Sequence, residues 1–432
     1  MSRRRRRTNP VRVFVLVVLV LGAIYVNQVV VPTIPPPFMP TSTPTREPQS
    51  YVTDAQTLEQ EGKFAQAIVA YQQAVEIDPQ NATNYISMAR LQIYTSAYED
   101  AVSSAENALL INRNNATAHA LRGWALGFLG DYVAAEGALS TAIELDPNNA
   151  VPYAYMAEVL AQKIEAGIED MSTLDRASEY VQKARDLNAN AMETHRARAI
   201  INEMAGGTEN LEVAVAEYAA AAEINPNIAD LYVAMGRVYR WLYMYSESEE
   251  AFARAITLNP TDATAHSGLS RTYYLAGNFV RAAQYAEDAI KREPDNPYWH
   301  GNYGQVLYKL GRYPDALPHL RLAVRGGTYE SEELGEVTVE GTPVSEEPSL
   351  GYYTNYGLTL AYVGECGEAL EISQYLVSSF PQDEYIPVNA QEMVTICENL
   401  LTTGSTGPTE PAEEGATSEE TATEAPTEEP AE

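Results

Sequence analysis

The side chains with chemical reach are few. Five histidines occur, His119, His195, His266, His300 and His319, with two cysteines, Cys366 and Cys397. His119, His195, His266 and His300 share one place in successive segments of similar sequence. Tyr51, Tyr85, Tyr153, Tyr232 and Tyr353 hold that place elsewhere. A metal ligand or proton-transferring imidazole is not expected to trade with tyrosine, so the row reads as structural; His319 stands apart from it. Glu249-Glu250 and Glu332-Glu333 are adjacent along the chain, and sequence neighbours do not face one another on a helix. No Gly-x-Ser-x-Gly, phosphate loop, dinucleotide glycine motif or zinc-helix motif is present. The sequence therefore predicts no enzyme, no catalytic or metal-binding residue, no cofactor and no small-molecule substrate. One cluster does point to chemistry, and it is recognition: Arg237, Arg240, Trp241, Arg271, Tyr274, Asn302, Tyr308 and Lys309. Arginine forks onto carboxylates, and aromatic rings supply rigid contact area at low entropic cost.

A repeat must position these residues. Alanine falls at Ala67, Ala101, Ala135, Ala214, Ala282 and Ala316, with Ser248 in the one gap, on a 34-residue stride. A second alanine follows seven residues behind each: Ala74, Ala108, Ala142, Ala221, Ala255, Ala289 and Ala323. Glycines at Gly62, Gly130, Gly277, Gly311 and Gly364 lie five residues before the first alanine. Aromatics such as Phe64, Tyr98, Tyr132 and Tyr313 follow two residues after the turn. Units close on Asp-Pro or Asn-Pro, as at Pro79, Pro147, Pro226 and Pro260. The pattern reads as helix, tight turn, second helix and proline stop, with small residues where helices come close. Asn81-Ala-Thr83 and Asn115-Ala-Thr117 fit a glycosylation acceptor, but each falls where a repeat helix begins, and asparagine and threonine are ordinary start signals there.

This unit closely resembles the tetratricopeptide repeat. Nine units are expected between about residues 48 and 382, followed by a capping helix over 383–402. The resemblance implies an all-α, right-handed superhelical solenoid whose first helices line a concave inner wall. On that wall the early units would offer Val52, Gln56, Ile86, Arg90, Ala120, Trp124 and Phe128, and units six to eight the arginine and aromatic cluster named above. Arg113 and Ala189 replace the closing proline in two units. The steps from Ala135 to Ala177 and from Ala177 to Ala214 are too long. The largest insertion, about 325–350, is rich in glycine and glutamate, and Val337–Val344 alternates like a small hairpin. It reads as a surface loop, or as a device that closes or lines the groove.

The amino terminus carries a basic run, Arg3–Arg7 with Arg12, as a cytoplasmic segment over 1–12. An apolar stretch over 13–31 follows, long enough to cross a bilayer. The positive-inside rule then places the rest outside the cytoplasm, as a retained signal anchor; the alternative is secretion after cleavage. A Pro/Thr-rich linker follows over 32–50, and an acidic Thr/Glu/Pro tail occupies 403–432. Six of the 28 basic residues precede the apolar span, leaving 22 against 59 acidic ones, a balance of −37 beyond it. Such a field disfavours nucleic acid and anionic lipid surfaces. Cys366 and Cys397 fit either a disulfide securing the end of the array or two buried thiols. The expected function is a membrane-anchored, extracytoplasmic scaffold binding partner peptides or proteins in its groove, through acidic or carboxylate segments. The alternatives are a chaperone or assembly factor for envelope proteins, and a regulatory subunit of a separate enzyme. Two further readings of the arginines are pairing with local glutamates and capture of the chain's own acidic tail or inserted loop.

Overall fold

The computed structural model describes residues 9–30, 47–331, 334–344 and 349–403. The Arg3–Arg7 run, the linker from 32 to 46, the tail from 404 onward and parts of the insertion lie outside the described residues. Helix α1 (Pro10–Tyr25) runs into a π-helical turn, Val26–Val30, and every side chain along it that is described is exposed. Nine antiparallel hairpins then follow. They are α2 (Pro48–Gln60) with α3 (Phe64–Ile77), α4 (Ala82–Tyr94) with α5 (Tyr98–Ile111), and α6 (Ala116–Phe128) with α7 (Tyr132–Leu145). Next come α8 (Ala150–Glu165) with α9 (Thr173–Leu187), α10 (Met192–Ala205) with α11 (Thr208–Ile224), and α12 (Ala229–Trp241) with α13 (Tyr245–Leu258). The last three are α14 (Ala263–Leu275) with α15 (Phe279–Arg292), α16 (Pro297–Lys309) with α17 (Tyr313–Arg325), and α18 (Ser349–Val363) with α19 (Cys366–Ser379). A final helix, α20 (Ile386–Thr403), packs on α18 and α19.

Local chemistry sets these boundaries. Asn81, Asn115, Asn149, Asp262 and Asn296 each accept a backbone N–H at the start of a first helix. The glycine turns have positive φ, from +71° at Gly311 to +85° at Gly364. Ser96 and Tyr243 stand at the same repeat position and adopt the left-handed conformation without being glycine, at +60° and +62°. All thirteen alanines of the two repeating rows are fully buried, as is Ser248. Ser248 fits because its hydroxyl donates to Gly236 O at 2.8 Å and meets Thr272 Oγ1 at 2.8 Å, so no polar atom is stranded. Between the two helices of a hairpin there is no spare volume. A Cβ on Gly236 would lie 2.7 Å from the Phe252 ring, and one on Gly304 2.5 Å from Leu320.

The histidine–tyrosine row gains a physical reason. His119, His266 and His300 place Nε2 at 3.0, 3.3 and 2.9 Å from the carbonyls of Arg113, Pro260 and Pro294. The Tyr153 and Tyr232 hydroxyls donate to Pro147 O and Pro226 O at 3.2 and 3.3 Å. A ring N–H and a phenol O–H tie the same closing carbonyl six residues back. His195 differs, with Nδ1 2.6 Å from the Glu217 carboxylate.

The insertion departs from expectation. Its strands are β1 (Gly327–Ser331) and β2 (Gly335–Val339), antiparallel, with Gly327 opposite Val339. The 337–344 stretch is therefore one strand plus its exit, not a hairpin of its own. Val337 and Val339 point inward and are buried. Beyond them Thr342 donates through both N and Oγ1 to Ala323 O at 2.8 Å, pinning the exit to the end of α17. A longer-range contact closes the first superhelical turn: Asn227, between α11 and α12, donates to Gln60 O at 3.3 Å. Gly62 leaves the room, since a Cβ there would meet Asn227 at 2.6 Å.

Cys366 and Cys397 form a disulfide between α19 and α20, with Cα atoms 5.6 Å apart. Reducing it should weaken the carboxy-terminal cap by about 3–4 kcal/mol, the loop-entropy value for a separation of 31 residues. Hydrogen exchange should then rise over 366–403 while α6 to α11 hold. Equal protection of that segment with and without reductant would contradict this.

Candidate partner-binding groove

First helices of successive units stand side by side, so side chains one repeat apart meet. Trp124 Nε1 donates to Glu158 Oε2 at 2.9 Å. Arg237 reaches Glu203 through Nε and Nη2 at 2.5 and 3.1 Å, and Arg271 Nη1 donates to Gln305 Oε1 at 3.3 Å. Each pair is separated by 34 residues. Two hollows along the wall matter most for binding.

The first is a cavity of about 430 Å³ among α6, α8, α10 and α12. Its floor is a buried charge cluster. Glu158, 1% exposed, sits 3.3 Å from Arg196, which also pairs with Asp230 at 2.8 Å and lies 5.0 Å over the Trp124 ring. Glu203 accepts from Tyr218 OH at 2.7 Å as well as from Arg237. Trp124 stacks on Tyr155 at 4.1 Å, which seals the cluster from behind. None of Glu158, Arg196 or Glu203 stands out by residue type. The available signal was register, because Glu158 follows Arg90 and Trp124 on the 34-residue stride.

The second is an open groove of about 1090 Å³ along α12, α14, α16, α18 and the start of α20. Six members of the sequence-derived cluster line it together: Arg240, Trp241, Arg271, Tyr274, Tyr308 and Lys309. Arg237 and Asn302 do not line this groove, but both meet Arg240 and Arg271 around a smaller adjoining pocket of about 330 Å³. Arg237 faces Glu203 and the first cavity, while Asn302 donates to Ser267 at 3.0 Å and accepts from Tyr352 OH at 2.9 Å. Arg240 donates to Gly268 O at 3.2 Å and covers Phe252; Arg271 covers Tyr274 at 5.1 Å. Among the described residues neither Arg240 nor Arg271 has a carboxylate partner. Burial, then Arg271, then Arg237 lower the Arg240 pKa to about 10. Exposed apolar rings rim the groove: Trp241 at 47%, Tyr243 at 79% and Tyr385 at 71% exposure. Tyr243 and Tyr385 were not singled out by sequence. The positive φ of Tyr243 is the feature that marks it.

Two stretches, 58–149 and 242–331, match tetratricopeptide-repeat family models. These stretches are similar to tetratricopeptide repeats. The mouse tetratricopeptide repeat protein 28 is 28% identical over 127 residues, covering 29% of this chain and 5% of its own length, so the chain spans a small fraction of that relative. Solved structures with similarity include a chain of the APC/C hetero-tetramer Cut9–Hcn1, at 16% identity and TM-score 0.45, covering 60% of this chain and 48% of that one. Pseudomonas aeruginosa pilF follows at 15% and 0.44, covering 55% and 95%.

Among the described acidic residues, Glu158 is the most strongly shifted. Burial raises its pKa from 4.5 to about 7, against the opposing pull of Arg196 and the Trp124 hydrogen bond. The folded chain thus holds this proton to higher pH than the unfolded chain. As far as this group contributes, stability is highest below about pH 4.5 and falls as pH rises to about 7. Urea denaturation across that window should show the fall in the natural chain and its loss in Glu158→Gln. An identical slope in both chains would refute the assignment.

Proposed function

We propose that the protein is a non-enzymatic scaffold, held at a membrane by α1, whose open groove grips an extended acidic segment of a partner protein. One observation carries this reading. In a chain with a balance of −37 beyond its apolar span, Arg240 and Arg271 share a groove wall and neither has a carboxylate partner among the described residues. Two neighbouring guanidiniums repel each other, and a bound carboxylate would relieve that repulsion while taking up their free N–H donors. The ring of exposed aromatics supplies contact area beside the charges.

The anchor rests on a 20-residue span, Pro10–Val29, of mean hydropathy 2.1. Arg3–Arg7 precede it, which by the positive-inside rule orients the array outside the cytoplasm. Alanine-based and tetratricopeptide packing supplies the rigid frame, and no step of bond making is required of it.

Replacing both Arg240 and Arg271 by glutamine is expected to weaken partner capture by at least about tenfold, measured by crosslinking in intact cells with mass spectrometry. Recovery of every partner at natural levels would reject the reading. Tyr243→Gly offers a separate check. Relief of its left-handed backbone should stabilise the array by about 1 kcal/mol, while the lost ring weakens capture. A stabilised chain that captures partners unchanged would remove Tyr243 from the groove's contact set.

A further inference from the structure

The cavity among α6, α8, α10 and α12 holds polar atoms that do not close among themselves. Glu158 Oε2 is taken by Trp124 and Arg196. Its other oxygen, Oε1, is buried without any hydrogen-bond partner, and so is Gln162 Oε1, one helical turn further along α8. Both residues line the cavity. Buried acceptors without donors are uncommon and costly. The charge balance leans the same way: Glu158, Glu165, Glu203 and Asp230 face only Arg196 and Arg237 there. Gly127 lets α6 pack directly against Gln162 at the cavity wall, since a Cβ on it would lie 2.6 Å from Gln162 Oε1 and 2.8 Å from Val159.

We propose that this cavity is a receptor for a lysine side chain presented by a partner protein. The occupant must bring positive charge and several donors to a small region. An ammonium carries three donors on one atom and can serve Glu158 Oε1, Gln162 Oε1 and a further carboxylate such as Glu165. A guanidinium fork is matched to both oxygens of a single carboxylate, and here Oε2 is already engaged. Phe128 and Tyr132 at the rim provide apolar cover for the methylene stem. The site is separate from Arg240 and Arg271, so it stands whether or not the open groove binds acid.

The test titrates the full chain in detergent with N-acetyl-lysine N-methylamide, followed by saturation-transfer NMR. The norleucine analogue has the same stem without the charge. The lysine probe is expected to bind saturably and the norleucine probe not to bind. The groups facing Glu158 are Trp124 on α6, Arg196 and Glu193 on α10, and Asp230 on α12. Lysine stays charged throughout, so its affinity should rise between about pH 6 and pH 8 as Glu158 ionises. Gly127→Ala, in which the added methyl crowds Gln162, should weaken the lysine probe by at least about tenfold. Arg271→Gln should leave it unchanged, which keeps this outcome distinct from failure of the open groove. Equal behaviour of the lysine and norleucine probes on the natural chain would overturn the proposal with no variant needed. Tighter binding of the arginine analogue, or unchanged affinity in a folded Gly127→Ala chain, would overturn it as well.

Discussion

The close approach of helices across small side chains is the constraint on which the rest of this molecule depends. A lone hairpin exposes an apolar face on each side and cannot hide it. Stacking a neighbour on each face removes that surface from water, but only if the backbones come near enough for side chains to interlock. The buried alanine rows and the glycines opposite Leu139, Phe252 and Leu320 allow that approach. Ser248 shows the limit of tolerance, since a polar atom enters the row only with both a donor and an acceptor waiting for it.

Stacking fixes the spacing of everything on the inner wall. Residues one repeat apart become neighbours, so charges far apart in sequence form pairs in a line. A cavity lies among hairpins three to six. There burial pushes Glu158 up towards neutrality. From the sixth hairpin on, a groove runs along the first helices to α20, and Arg240 keeps its charge there with its pKa lowered only to about 10. One repeated unit thus builds hollows of different charge balance, set by which side chains occupy a few positions of each first helix.

Most of the architecture was legible because it is local. The alanine stride, the glycine turns and the proline stops follow from short-range geometry, and the helices pair into stacked hairpins as those signals imply. The histidine–tyrosine exchange was legible as structural, although the shared carbonyl that explains it appears only in three dimensions. Arg237 differs from Arg240 in having an acid, Glu203, one 34-residue repeat before it, a register that tells the two apart only once first helices are known to stand side by side. The small hairpin was expected within 337–344 because the alternation is visible there, whereas the partner strand Gly327–Ser331 carries only Tyr329 as a large ring and shows no such pattern. The contact between Asn227 and Gln60 depends on superhelical pitch accumulated over five hairpins, which no local pattern encodes.

Site-resolved hydrogen exchange on an Ala255→Leu chain tests the stacking constraint most directly. Ala255 is fully buried in α13, and the larger side chain must push neighbouring helices apart. Exchange should quicken in α12 and α13 and in the hairpins on either side, α10–α11 and α14–α15, and fade with distance along the array. Faster exchange confined to α13, or none at all, would contradict a fold held together from hairpin to hairpin.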